Sequence, residues 1–533
     1  MLVSFLLLCA VIIFACVGFN RLSFRLGFPA LLAFLFLGML FGSDGIARIP
    51  FDDYAFADQI STVALLFIMF YGGFGTNWKA ARPVAVQSIL LSSLGTVLTA
   101  VLAGLFCHLA LGMSLLEGLL CGAVLGSTDA ASVFSILRSR KLALKDNTDS
   151  MLEVESGSND PFAYMLTAVL LTAKESGITP ASVASLLARQ LLFGLAFGFG
   201  VGLAALWLFR RMRLGAGGFD TLFVVGVALV SYAAPAMLGG NGFLSVYITG
   251  ILLGNGDIPN KPTLVPFFDG VTSMMQMVLF FLLGLLSFPS QMPAVLLPAL
   301  AIALFLLLVA RPAAVFLLLA PFGGSMAQRL LVSFAGLRGA ASIVFAVMVV
   351  ISPVSTDNDL FHIVFLVVLF SILVQGSLLP LLARKLNMID ETGNVMKTFT
   401  DYVDETPLQF IQFRVQAGHA WCGRTVRELT LPPGTILVSL QRGEQQLVPN
   451  GSTRLQDGDR LILCALGSAS LPGVSLTERT LTAADLTRGS CLADLNLSRG
   501  SLVVLVQRGD RYLIPNGSTQ LQPGDLLILN RTQ

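Results

Sequence analysis

From residue 1 to about residue 384 the chain is a succession of apolar runs, separated by short polar or Gly/Pro-containing breaks. Each run is roughly 17–25 residues long, the length an α-helix needs to cross ~30 Å of hydrocarbon, and the pattern predicts about thirteen transmembrane helices. The first run, Met1 to Asn20, has neither a charged leading segment nor a small-residue cleavage site, so it reads as the first span. Past Leu382 the texture changes. Residues 385–407 are polar and mixed, and from Leu408 short alternating stretches are separated by Gly, Pro and Asn turns, the pattern of strands and hairpins. This part repeats: "SLQRGEQQLVPNGSTRLQDGDRLIL" (439–463) returns as "LVQRGDRYLIPNGSTQLQPGDLLIL" (505–529) at a constant offset of 66. The expected organisation is an all-α polytopic membrane domain over 1–384, a linker over 385–407, and two small α+β modules over 408–466 and 474–531.

Composition agrees with that division. Hydrophobic residues make up 55% of the chain and charged residues 12%, with a mean hydropathy of +0.81, values that exclude an ordinary soluble enzyme. The net charge of +2 gives no reason to expect a nucleic-acid partner. The position of the basic residues matters more than their sum. With the amino terminus outside, Arg21, Arg25, Lys79, Arg82, Arg138, Arg140, Lys141, Lys145, Arg210, Arg211, Arg213, Arg384 and Lys385 all fall on the inner side, while loops 44–57 and 352–359 are acidic or poor in basic residues. The carboxy-terminal modules are then cytoplasmic. Seven cysteines form no CxxC pair and no ligand cluster, and there are three histidines, which argues against a structural metal or a disulfide framework.

Polar residues inside the apolar spans carry the chemistry. An ionisable side chain near the bilayer centre costs at least ~2.5 kcal/mol, so it faces an ion path or a partner. "GSTDAAS" (126–132) interrupts the fifth span with Gly126, Ser127, Thr128 and Asp129, residues that favour unwinding; Asp129 would neutralise the positive amino end of the half-helix that follows. In the sixth span, "ESGSNDP" places Ser156, Asn159 and Asp160 at i, i+3 and i+4, on one helical face. Pro161 donates no backbone hydrogen bond, which frees the Gly157 carbonyl. Glu155 looks about 140° away from Asp160 and needs a partner of its own. "GLRGAAS" (336–342), in the twelfth span, supplies Arg338, and a Glu155–Arg338 bridge is expected. Interrupted spans at matching places in two halves, one to six and eight to thirteen, point to an inverted repeat with two broken helices crossing at a transport site.

"STDAASVF", "ESGSNDP" and "GLRGAAS" together resemble the signatures of bacterial NhaP-type monovalent cation:proton antiporters, in the potassium/proton branch that carries a cytoplasmic tail. The repeated tail is similar to the TrkA-C module of RCK-type regulators of potassium transport. The resemblance implies a homodimer in the bacterial inner membrane working by alternating access. Asp160 would carry the cation or proton, Thr128, Asp129, Ser156 and Asn159 would shape its site, and Glu155 would bridge to Arg338. No cofactor is implied beyond transported K+ or Na+ and H+; the tail would take a small-molecule or nucleotide regulator that its sequence does not identify. In one place the chain departs from the pattern. Many relatives hold an acidic residue in the third span where this chain reads "MFYGGFG", so Tyr71 offers a phenolic oxygen without charge and bears on selectivity. Two rival classes fit less well. A channel gated by the tail would need a "TVGYG"-like filter, and a membrane hydrolase an HExxH, GxSxG or Ser/His/Asp set, and the spans contain neither. An uncoupled ion carrier on a similar fold is the remaining alternative.

Overall fold

The computed structural model describes residues 7, 10–19, 30–139, 142–177, 179–211, 218–258, 261–354 and 356–390, and in the tail 408–416, 418–432, 435–442, 445–466, 476–481, 491–492, 495, 501–508, 511–513, 515 and 519–531. Arg21, Arg25, Arg140, Lys141 and Arg213 of the orientation argument lie outside the described residues, as does 391–407 of the linker. The chain divides into two compact units, Met1–Asp404 and Glu405–Gln533.

In the first unit the helices follow the predicted order. They are α1 (Ala10–Phe19), α2 (Ala30–Phe41), α3 (Tyr54–Gly75), α4 (Trp78–Leu111), α5a (Leu115–Val124), α5b (Ala130–Ser139), α6 (Thr148–Ser176), α7 (Pro180–Arg211), α8 (Phe219–Met237), α9 (Gly242–Asn255), α10 (Lys261–Leu285), α11 (Met292–Phe322), α12a (Met326–Phe334), α12b (Ala340–Ile351) and α13 (Leu360–Lys385). Seven of them are long and apolar enough to cross a membrane unaided. Caps mark several starts: the Asp53 carboxylate accepts the Phe56 N–H, the Ser114 hydroxyl the Glu117 N–H, and the Asn241 amide oxygen the Leu244 N–H.

The helices sort into two bundles. One joins α2, α3, α7, α8, α9 and α10; the other joins α4, α5a, α5b, α6, α11, α12a, α12b and α13. The bundles meet where α6 lies against α7 and α9, and α12b against α3. With lipid outside, close packing rather than water exclusion holds such helices together. Phe70, Phe74 and Phe268 stack between α3 and α10 at ring distances of 5.1–6.1 Å. The most apolar window of α13 is 72% buried, whereas those of α7 and α11 are 22% buried, so α13 is central and the other two are peripheral. Three spans of the second bundle contain a π-turn, at Leu91–Gly95 in α4, Leu306–Ala310 in α11 and Ser371–Gln375 in α13.

The second unit contains two sheets of identical plan. The first orders its strands β1-β4-β2-β3, with β1 Leu408–Arg414, β2 Thr435–Arg442, β3 Gln445–Leu447 and β4 Arg460–Leu466. The second orders them β5-β8-β6-β7, with β5 Leu476–Thr480, β6 Ser501–Arg508, β7 Arg511–Leu513 and β8 Leu526–Arg531. The register shifts at Leu437/Ser439 in one sheet and at Val503/Leu505 in the other, the same place in each copy. Each "GD" turn supplies a buried acceptor. Arg442 Nε and Nη2 both donate to Asp459 at 2.8 Å, and Arg508 Nε and Nη2 to Asp525 at 2.8 and 2.7 Å. Burial pushes the Asp459 carboxyl up, but the Arg442 fork and the Gln456 N–H outweigh it and hold it below the usual carboxylate range. The Arg508 fork does the same for Asp525 against a weaker burial effect.

Candidate functional site

The two interrupted spans open where Gly, Ser, Thr and Asp were expected to break them. α5a ends at Val124 and α5b starts at Ala130; α12a ends at Phe334 and α12b starts at Ala340. The gaps are tied together. The Asp129 N–H donates to the Leu337 carbonyl at 2.8 Å, and Arg338 Nη1 donates to the carbonyls of Gly126 at 2.9 Å and Ser127 at 2.7 Å. Unwinding strands those carbonyls at the negative end of α5a, and the guanidinium satisfies them there. Asp129 serves the opposite ends. Its carboxylate accepts the Ser132 N–H at 3.2 Å and the Ser132 hydroxyl at 2.5 Å, which caps α5b. It also packs so closely on Gly339, just before α12b, that a Cβ at Gly339 would overlap it. One carboxylate thus lies at the amino ends of both half-helices, where negative charge is favoured.

Beside the α5 gap runs the polar face of α6, a helix that continues through Pro161. The Ser156 hydroxyl donates to the Thr128 carbonyl at 2.6 Å, Asn159 Nδ2 donates to Thr128 Oγ1 at 2.5 Å, and the Ser127 hydroxyl donates to Asp160 Oδ1. Asn159 Oδ1 is buried without a hydrogen-bond partner. Asn241, at the start of α9, donates through Nδ2 to the Pro161 carbonyl at 2.9 Å, which ties the other bundle to the same turn. Asp160 is 6% exposed and is the carboxylate in this cluster of neutral oxygens. Such a set of oxygen donors suits a monovalent cation, and the carboxylate is equally able to take a proton.

Glu155 does not bridge to Arg338. Its carboxylate meets Arg311 of α11 at 2.5 Å, with both side chains almost fully buried. The 100° helical step turns Glu155 off the Asp160 face and toward α11, while Arg338 sits in the α12 gap and its backbone N–H donates to Ser371 in the π-turn of α13 at 2.9 Å. Tyr71 reaches across to α10, where its hydroxyl donates to Asp269 at 3.3 Å. Ser127 and Arg311 are site residues that the sequence reasoning passed over. Arg311 was open to detection, since "LLLVARPAAVFLLL" carries a lone Arg in an apolar span and the rule applied to Arg338 covers it equally. Ser127 stands out in the sequence only as a helix breaker.

A broken-helix crossing beside a carboxylate-bearing helix defines an ion-transport fold, and the comparisons with known proteins say which one. Residues 7–385 match the family described as "Sodium/hydrogen exchanger, transmembrane", and residues 410–469 and 476–529 each match the TrkA-C domain. The chain belongs to the sodium/hydrogen exchanger family and is a multi-pass membrane protein with a TrkA-C tail. It is 36% identical over 471 residues to the K(+)/H(+) antiporter NhaP2 of Shewanella baltica, covering 87% of this chain and 81% of that one. It is 35% identical over 476 residues to the K(+)/H(+) antiporter NhaP of Alkalimonas amylolytica, covering 87% and 82%. Among solved structures, the sodium proton antiporter MjNhaP1 of Methanocaldococcus jannaschii superposes with a TM-score of 0.63 at 21% identity, over 72% of this chain and 99% of that one, a likeness of fold.

Proposed function

We propose that the protein exchanges a monovalent cation, potassium in the first place and sodium as the alternative, for a proton across the bacterial inner membrane by alternating access. The single carboxylate at Asp160, set among Ser127, Thr128, Ser156 and the amide of Asn159, carries this reading. A site holding either one proton or one monovalent cation is neutral in both loaded states, so the bundle that bears it crosses loaded; an empty carboxylate would face a large desolvation cost. Exchange is therefore one for one and electroneutral. The potassium assignment draws on the printed activities of the Shewanella and Alkalimonas relatives. Tyr71, neutral where a charge is common, is the residue in the third span assigned to selectivity. The distribution of basic residues sets the amino terminus outside and the tail in the cytoplasm, where the TrkA-C modules would tune exchange in response to a small ligand. The transport unit is a homodimer. Proteoliposomes loaded with potassium test the reading: an outward potassium gradient should drive proton uptake in the parent, and Asp160→Asn should abolish it while the protein still folds. Persistent potassium-driven proton flux in that variant would remove Asp160 from the carrier role.

A further inference from the structure

Glu153, Gly157, Asp160 and Tyr164 recur at i, i+4, i+7 and i+11 along α6, so they share one face. That face meets α9 of the other bundle. Phe243 and Tyr247, four residues apart on α9, are the rings set against it. Phe243 lies edge-on to Tyr164 at 5.3 Å. The Tyr247 ring covers Gly157, where a Cβ would come within 2.6 Å of Cε2 and 2.8 Å of the phenolic oxygen, so the absence of a side chain at 157 is what admits it. Along this face Asp160 lies between Tyr164, which meets an apolar ring, and Gly157, which meets a phenol.

The phenol is the unusual partner. Tyr247 is 3% exposed, and its hydroxyl makes no hydrogen bond of normal length. Its polar neighbour is Thr76, whose hydroxyl donates to the Gly72 carbonyl at 2.8 Å and keeps its lone pairs as acceptors. Glu153 and Asp160 are the acidic groups on that face of α6, one to either side of Gly157. Phenylalanine would fill the same volume without placing a hydroxyl here.

We propose that Tyr247 is a specificity-determining residue of the exchange: its hydroxyl oxygen coordinates the monovalent cation passing between Glu153 and Asp160, from the cytoplasmic end of α6. The inference rests on Asp160 being the carrier, as proposed above. It makes α9, in the bundle that does not hold the carboxylate, a contributor to ion choice. The test uses the full chain in proteoliposomes, with KM for potassium and for sodium measured for the parent, Tyr247→Phe and Tyr247→Leu, and Asp160→Asn run alongside. Tyr247→Phe should raise the potassium KM about tenfold, change the potassium-to-sodium KM ratio, and melt with the parent. Tyr247→Leu should raise it at least as far. If Tyr247→Phe keeps the parent's KM values and ratio, the hydroxyl takes no part and the proposal falls, including where Tyr247→Leu alone shifts KM through lost ring volume. Residual flux in Asp160→Asn would instead count against the carrier assignment.

Discussion

The stretch from α4 to α6 and the stretch from α11 to α13 are built alike and equipped differently. Each begins with a helix carrying a π-turn, Leu91–Gly95 in α4 and Leu306–Ala310 in α11, and each continues into a helix that opens at mid-span. The first stretch supplies the acidic and hydroxyl groups: Ser127, Thr128, Asp129, Glu155, Ser156 and Asp160. The second supplies the cations, Arg311 on Glu155 and Arg338 on the Gly126 and Ser127 carbonyls. In the proposed exchange the first half binds and the second clamps. A shared architecture fixes where the crossing lies, and the proposal leaves it to side-chain charge which half meets the ion. The clamp also makes the α5 gap a defined structure, because Arg338 holds the carbonyl of the residue whose hydroxyl reaches Asp160.

The comparison breaks most visibly at its two charged centres. Asp160→Asn should eliminate exchange, while Arg338→Gln should leave a measurable but slower rate, since it loosens the clamp and keeps the carboxylate; equal loss in both would erase the distinction between binding and clamping halves. Next in size is stability. Arg311→Ala strands the buried Glu155 carboxylate, with an expected cost of about 3–5 kcal/mol, so the purified protein should melt well below the parent and below Arg338→Gln. Glu155→Gln combined with Arg311→Met should recover most of that loss, and failure to recover would mean that Arg311 acts through something other than Glu155.

Smaller effects sharpen the picture. Ser127→Ala removes one charge-assisted hydrogen bond to Asp160, worth about 1.5 kcal/mol, and should raise the cation KM roughly tenfold; an unchanged KM would make Ser127 a helix breaker alone. The tail gives the mildest signal. Asp459 and Asp525 are held below the usual carboxylate range when folded, so their contribution to stability is fully present above the unfolded value near ~4 and is lost as pH falls through the lower folded values. Acid unfolding of the isolated tail unit, followed by circular dichroism, should set in below about pH 4 and shift upward in Asp459→Asn. Deletion after about residue 395 should leave basal exchange in place and change its dependence on pH or ligand; a folded truncation without activity would show that the tail belongs to the transport unit.

Much of this was readable in the sequence because it depends on local chemistry. Gly126, Ser127, Thr128 and Asp129 are poor helix-interior residues wherever they occur, so the gap followed from composition. The common face of Ser156, Asn159 and Asp160 followed from helical geometry, and the tail duplication from its constant offset. The choice between Arg311 and Arg338 as the partner of Glu155 was of another kind. Helical periodicity says where Glu155 does not point, and the neighbour it meets is set by how α11 packs, which no spacing encodes. The π-turns left no signal in the apolar runs that contain them, and Tyr247 reads as an ordinary aromatic until Gly157 is found beneath it.

The central claim is that one carboxylate, Asp160, exchanges one proton for one cation. Proton flux in proteoliposomes, with potassium gradients held fixed and the membrane potential clamped at several values, tests it most directly. The account predicts the same flux at every potential; a steep rise with voltage would contradict it, because more than one proton would then move per cation and a second acidic group, with Asp129 the first candidate, would have to join Asp160 in the cycle.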